Sequence, residues 1–205
     1  MRYLLLSSCL FVFSGCGSSY RQLQRIEGDA SCIEKFRPKF TIALYTTRVN
    51  IIGNYLTGLL VIKTMADSNM RVVFTSEMGL SLFDFEFRPN GDFKVYHIID
   101  KMNRKTVIKT LRQDFELVLM QRLNTQTAQV FRNNDRIYFG FKQENGSNYY
   151  ITDPDCRALL GIEKASKRKA IVQVVMNDYT NGIPDTIGIS HTNFQFTIGL
   201  KRLER

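Results

Sequence analysis

Short segments in which apolar and polar residues alternate dominate the chain after residue 39. Eleven of them are rich in β-branched and aromatic residues, and clusters of Gly, Asn and Asp separate them. The predicted strands are residues 39–49, 55–64, 70–76, 80–87, 93–99, 128–132, 135–143, 147–152, 169–178, 185–191 and 193–203. In LFDFEFR, Phe83, Phe85 and Phe87 alternate with charged residues, so one face is apolar and the other wet. So many consecutive antiparallel strands must curl to hide their apolar face.

One segment breaks this period of two. Between residues 103 and 123 apolar side chains recur at helical spacing, and Asp100 or Asn103 is the candidate cap. The stripe consists of Val107, Ile108, Leu111, Phe115, Val118 and Leu119. We expect it to pack on the apolar face of the sheet. The predicted fold class is therefore α+β and mainly β: a curved antiparallel sheet or half-open β-barrel of about eleven strands, wrapped around one central helix.

The chain begins with Arg2 and an apolar run over residues 3–13. This run is shorter than the roughly 20 residues of a membrane-spanning helix, and it is typical of a signal peptide. It ends at Phe13-Ser14-Gly15-Cys16, which resembles the lipobox of bacterial lipoproteins, although that family prefers Leu where Phe13 stands. The resemblance implies that Cys16 is lipidated and that cleavage occurs before it. The alternative is an ordinary signal peptide in which cysteines, such as Cys9, occur by chance.

These features predict three parts of the chain. Residues 1–15 are the predicted lipoprotein signal peptide, residues 16–38 the lipidated cysteine with a polar tether, and residues 39–205 a single half-barrel domain. More than one acyl chain makes membrane anchoring stable. Gly17, rather than Asp, follows Cys16, which favours the outer membrane. We expect the domain to face the periplasm.

Basic residues exceed acidic ones, 28 to 19, which gives a net charge of +9. Beside a membrane this balance favours anionic head groups, and export argues against nucleic acid as a partner. The one dense basic run, KASKRK at residues 164–169, is predicted to be a solvated hairpin turn. Cys32 and Cys156 have no metal-ligand spacing. In an oxidising periplasm they form a plausible disulfide; the alternative is two separate buried thiols.

No catalytic motif is present in the sequence. His97 and His191 lie in strand patterns without a zinc-binding spacing, and the chain has neither a GxSxG elbow nor a phosphate-binding loop. Asp153, Asp155 and Asp178 lack calcium-loop spacing and are interpreted as turn formers. We therefore expect a protein that is not an enzyme and that needs neither a metal nor a cofactor.

The order of parts, from lipobox and tether through five strands and a helix to a second run of strands, resembles the LolA/LolB family of lipoprotein carriers and receptors. The family fold is a half-open β-barrel with helices over an apolar cavity. In the receptor, a loop with an exposed leucine before a glycine helps transfer lipoproteins into the bilayer. TSEMGLSLF occupies the comparable place here, with Met78 before Gly79 and with Glu77 where the family has proline. The alternative is a plain hairpin turn whose methionine folds back on its neighbours.

The resemblance implies a membrane-anchored protein that binds acyl chains in an apolar trough and helps to receive and insert lipoproteins into the outer membrane. The candidate trough residues are Phe74, Leu82, Phe83, Phe85, Leu111, Phe115 and Val118. The implied partners are membrane lipids, acylated lipoproteins and a periplasmic carrier protein, and we expect a monomer. The alternative is a structural or assembly lipoprotein that binds a protein partner through the same sheet. An open trough favours the first function, and a filled core with an exposed apolar edge favours the second.

Overall fold

The computed structural model describes residues 20–51, 53–121, 123–166 and 169–203. The predicted signal peptide, the lipobox and Cys16 lie outside these residues. No helix within them is long and apolar enough to cross a membrane.

The described residues form thirteen strands in one antiparallel sheet, together with one α-helix. The strands are β1 Gln24–Ile26, β2 Ile42–Ile51, β3 Asn54–Thr64, β4 Met70–Ser76, β5 Ser81–Phe87, β6 Phe93–Ile98, β7 Gln129–Asn133, β8 Arg136–Gln143, β9 Gly146–Thr152, β10 Leu159–Ala165, β11 Ala170–Thr180, β12 Ile183–His191 and β13 Phe196–Arg202. The helix, α1, is Lys105–Val118, and the 3-10 helices are Ser31–Phe36, Asp100–Met102 and Thr125–Thr127. The strand order is β1-β7-β8-β9-β10-β11-β12-β13-β2-β3-β4-β5-β6. The sheet is not closed, because β1 and β6 are its two edges.

The mainly antiparallel fold with one long helix is confirmed, but the predicted count of eleven strands is two too low. The missed strands are β1 and β10. Residues 153–168 lie outside the predicted strands, yet β10 starts at Leu159 and pairs with β9 and β11. Its sequence, LLGIEKA, lacks a clear alternation of apolar and polar residues. Pairing on both sides decides its conformation, as tertiary context often overrides local preference.

From Gln24 onward, the segment predicted as a polar tether contains regular structure. β1 pairs with β7, and the 3-10 helix Ser31–Phe36 follows it. Ile33 of this helix is fully buried in the core. A disulfide joins Cys32 to Cys156, which lies in the loop between β9 and β10. The N-terminal segment is thus packed against the sheet and covalently attached to it.

Helix α1 is shorter than predicted, because it begins at Lys105 and ends at Val118. Its N-cap is Arg104, which makes no side-chain capping hydrogen bond. Asp100 instead starts a separate 3-10 helix, so neither predicted cap occupies the N-cap position. After Val118 the chain leaves the helix through Met120, whose φ is +48°.

The core lies between α1 and the face of the sheet that packs against it, here called the inner face. Phe83 stacks on Phe85 with ring centroids 4.5 Å apart, and Phe85 contacts Phe93 edge-on at 5.2 Å. From the helix, Phe115 reaches Phe83 at 5.9 Å. Such pairs add about 0.5–1.5 kcal/mol each beyond their buried area. This aromatic cluster holds the helix onto β5.

The strand registers place every second connection at one end of the sheet, here called the upper end. The connections after β2, β4, β6, β8, β10 and β12 all lie there, because each strand is antiparallel to its neighbour. They include the Met78 turn between β4 and β5 and the basic turn between β10 and β11. The chain enters α1 from this same end.

Candidate functional site: an apolar cavity beside helix α1

A cavity of about 620 Å³ lies between α1 and the inner face of the sheet. Its volume falls within the usual range of ligand pockets, roughly 300–1,000 Å³. The lining is almost entirely apolar and comes from β2, β3, β4, β5, β13 and the helix: Thr47, Val49, Ile51, Leu56, Leu60, Phe74, Phe83, Val107, Thr110, Leu111, Phe115, Phe196 and Ile198. It is therefore suited to an apolar ligand rather than to a polar one.

Short side chains explain why this part of the interior stays open. Helix α1 presents Thr106, Val107 and Thr110 to the cavity, and β2 presents Thr47 and Val49 opposite them. None of these side chains reaches far from its backbone. Where phenylalanines face each other farther along β5, rings fill the same gap between helix and sheet.

The structure brings four of the seven predicted trough residues to the cavity. Phe74, Phe83, Leu111 and Phe115 line it. The other three, Leu82, Phe85 and Val118, are buried without lining it. Phe85 shares a face with Phe83 but lies between Phe83 and Phe93, where it fills the core.

Several lining residues were not among the sequence candidates. Val49 and Ile51 of β2 and Phe196 and Ile198 of β13 face the cavity. The alternation TTRVNI at residues 46–51 indicates which face Val49 and Ile51 share. The pairing of β2 with β13 joins residues about 150 positions apart in sequence, and no local pattern predicts it.

The cavity opens near the upper end of the sheet. Ile51, Asn54 and Leu56 flank the β2–β3 turn, and Phe194 lies in the connection after β12. Lys101, an exposed residue, contributes a cation to the same lining. An apolar opening with one lysine suits a ligand that has a long apolar part and an anionic group.

A hydrogen bond between Asp114 and His191, beside the cavity, attaches α1 to β12. His191 Nε2 lies 3.0 and 3.1 Å from the two carboxylate oxygens of Asp114, which is fully buried. Burial raises the pKa of Asp114, while the hydrogen bond to His191 opposes that change. The His191 ring also contacts Phe194 and Phe196 at 4.7 and 4.9 Å. The pair thus positions the helix and two aromatic rings of the cavity.

The sequence predicted no role for His191 in metal binding or nucleophilic catalysis. In the structure its imidazole faces a carboxylate and two phenyl rings. Within the described ranges, no three His, Cys, Asp or Glu side chains are grouped so that they could hold a metal ion.

The Met78 turn projects from the upper end. Gly79 has φ +79°, a conformation that glycine adopts readily, and its N–H donates to the Ser76 carbonyl at 2.9 Å. Met78 is 92% exposed, and Leu80 is 55% exposed. The methionine therefore does not fold back on its neighbours. Two apolar side chains at one turn form a small apolar tip beside strands that line the cavity.

Comparisons with known proteins give a likeness of fold. No family model and no curated protein matches the chain. Among solved structures, a domain named as an outer membrane lipoprotein-sorting protein from Vibrio parahaemolyticus matches with a TM-score of 0.50 and 8% identity, over 86% of this chain and 90% of that one. A DUF1329 family protein from Desulfovibrio piger ATCC 29098 matches with a TM-score of 0.44 and 8% identity, over 84% and 88% of the two chains. The match to the Vibrio parahaemolyticus domain shows a likeness of fold.

Proposed function

We propose that this protein is an envelope lipoprotein that holds acyl chains in the cavity beside α1 and helps to insert lipoproteins into the outer membrane. The observation that carries the proposal is an open, apolar cavity of about 620 Å³ in a fold shared with a lipoprotein-sorting domain. A cavity supports this function over the alternative of a structural lipoprotein with a filled core. Binding and release of acyl chains require no chemical reaction, so we propose a protein without enzymatic activity.

The volume of the cavity limits the number of acyl chains that it can hold. An engineered protein cavity of about 150 Å³ accepts one benzene ring, and the cavity here is about four times larger. On that scale it has room for roughly two dozen carbon atoms. One long acyl chain fits this space well, and three chains do not. We therefore propose one bound chain per protein, with any further chains of a client lying at the opening.

Transfer must avoid exposing the chain to water. An acyl chain of about 16 carbons loses roughly 12 kcal/mol of burial free energy when fully exposed, at about 0.8 kcal/mol per methylene. Direct contact between the cavity opening and the bilayer removes this barrier. Met78 and Leu80 project from the same end of the sheet at which the cavity opens. We propose that their side chains enter the lipid and bring the opening to the membrane surface.

The proposed location is the periplasmic face of the outer membrane, with Cys16 as the lipidated anchor. An anchor keeps the receptor at the membrane that accepts the chain. The proposed partners are the acylated lipoprotein, the lipid surface and a periplasmic carrier that delivers the client. The protein is proposed to act as a monomer.

A transfer assay tests the role of the Met78 turn. Full-length protein loaded with a fluorescent lipopeptide is mixed with phospholipid vesicles, and the rate of transfer is followed. Burying a methionine contributes about 1.5–3 kcal/mol, so Met78→Glu is expected to slow transfer at least tenfold. Met65→Glu is the matched control, because Met65 is 37% exposed in the β3–β4 turn at the opposite end. Equal rates for the two variants contradict the proposed role of the turn.

A further inference from the structure

A second groove, of about 560 Å³, lies on the other side of α1 from the apolar cavity. Helix residues line one wall, and the β8–β9 turn, β9 and β10 line the other. Its charged side chains are Lys105, Lys109, Arg112, Lys164, Glu116 and Glu144. Four cations and two carboxylates give 4 − 2 = +2 for the groove. The helix thus separates an apolar site from a cationic one.

Lys164 and Asn148 interrupt the apolar inner face of the sheet. Along β10, Lys164 follows buried Ile162 on this face, and along β9, Asn148 lies on the same face as buried Tyr150. Lys164 and Asn148 are direct cross-strand partners, so their side chains are neighbours. In most proteins such positions carry apolar residues. Where polar residues occupy them instead, the site is usually strained or functional.

Among the described residues, neither side chain has a full set of partners. Burial lowers the pKa of Lys164, Lys109 adds repulsion, and the attraction of Asp114 and Glu116 opposes these effects. No ion pair among the described residues includes Lys164. Asn148 Oδ1 is buried and accepts no hydrogen bond within the described part of the chain. The lysine can bind an anion, and the amide oxygen can accept a hydrogen bond from a hydroxyl group.

Arg112 has a different role. Its Nε donates to Glu116 at 2.8 Å, and its Nη2 donates to the Gly91 carbonyl at 3.2 Å. These bonds hold its guanidinium against the helix and the β5–β6 turn. The lysines at positions 105, 109 and 164 are therefore the cations that can turn toward a ligand, since no ion pair between described residues includes them.

We propose that this groove binds a phosphate ester that carries hydroxyl groups, a chemistry shared by the phosphatidylglycerol head group and by free polyol phosphates. Lys109 and Lys164 bind the phosphate, and Asn148 accepts a hydrogen bond from a hydroxyl. The bonds from the two lysines to the phosphate are charge-assisted, and such bonds are roughly twice as strong as neutral ones. The groove includes the β8–β9 turn, which lies at the upper end with Met78. A lipid surface that meets the Met78 turn is thus also near the groove. This binding does not require that the apolar cavity hold an acyl chain.

Two measurements on full-length protein test the proposal. Calorimetric titration with glycerol 1-phosphate measures binding of the free ester. Flotation with phosphatidylcholine vesicles, with and without phosphatidylglycerol, measures binding of the head group, because any contribution of a lipid anchor is common to both vesicle types. Lys164→Met and Lys109→Gln are each expected to weaken binding at least tenfold. Lys63→Gln is the matched control: Lys63 is exposed on the outer face of β3, and this variant is expected to change binding less than twofold.

Lys109 is exposed on the helix, so its variant keeps the test valid if Lys164→Met fails to fold. Binding of both probes, lost in the groove variants, supports a lipid head group as ligand. Binding of glycerol phosphate alone supports a free phosphate ester. If neither probe binds, or if Lys63→Gln weakens binding as much as Lys109→Gln, the proposal is wrong.

Discussion

A phenyl ring added at Thr110 is expected to block acyl-chain binding without unfolding the protein. Thr110 lies on α1 and faces the apolar cavity. Threonine and phenylalanine have similar helix propensities, so Thr110→Phe imposes little cost on the helix. The cavity is about four times the volume that accepts one benzene ring, so the new ring takes about a quarter of it.

The loss of affinity follows from this fraction. For a chain of about 16 carbons that extends through the whole cavity, a quarter of its contacts corresponds to about four methylenes, worth roughly 3 kcal/mol of burial at about 0.8 kcal/mol each. Kd for the chain should therefore rise by about two orders of magnitude. Displacement of a fluorescent fatty acid, titrated with palmitate, measures Kd directly.

The control is Gln113→Phe, which places the same ring on the same helix but in the polar groove. It should change Kd for the chain less than threefold. The argument for the cavity is refuted if Thr110→Phe binds the chain as tightly as Gln113→Phe does, with equal unfolding temperatures.

Three further predictions concern stability. Replacing both Cys32 and Cys156 by serine opens a link across 124 residues and should reduce the free energy of unfolding by roughly 4–5 kcal/mol in urea titrations; a loss below about 1 kcal/mol would show that the packing of the N-terminal segment suffices. Asp114→Asn disturbs the buried hydrogen bond to His191 and should cost about 1–3 kcal/mol by thermal unfolding, and an unchanged unfolding temperature would contradict a role in attaching the helix. Phe85→Ala should reduce the free energy of unfolding by about 3–5 kcal/mol, while Kd for palmitate stays within threefold of that of the unmodified protein. A loss of binding without a loss of stability would place Phe85 in the cavity instead of the core.

The architecture was predictable where local patterns are strong. The alternation around Phe83 and the helical stripe through Leu111 and Phe115 gave the sheet, the helix and their contact. The alternation indicates which side chains face the helix, but it does not indicate which of them line the cavity. Phe83 and Phe85 share a face, yet one lines the cavity and the other fills the core. That difference depends on where the helix lies, which no local pattern specifies.

Pairing between strands that are distant in sequence could not be predicted for a similar reason. β10 forms because β9 and β11 pair with it, and β13 reaches the cavity because it pairs with β2. The sequence pattern favours a solvated turn for the basic run that starts at Lys164. Its first residue instead lies in a strand, half-buried beside α1. Only the sheet register, which pairs Lys164 with Asn148, brings this cation into a groove.

Lipid occupancy tests the central claim most directly. Full-length protein is purified from bacterial envelopes, and native mass spectrometry with lipid extraction counts bound acyl-containing molecules beyond any covalent anchor. We expect about one bound phospholipid or acylated peptide per chain, lost in Thr110→Phe and retained in Gln113→Phe. A ligand-free mass, together with no uptake of added lipopeptide, would contradict an acyl-chain cavity.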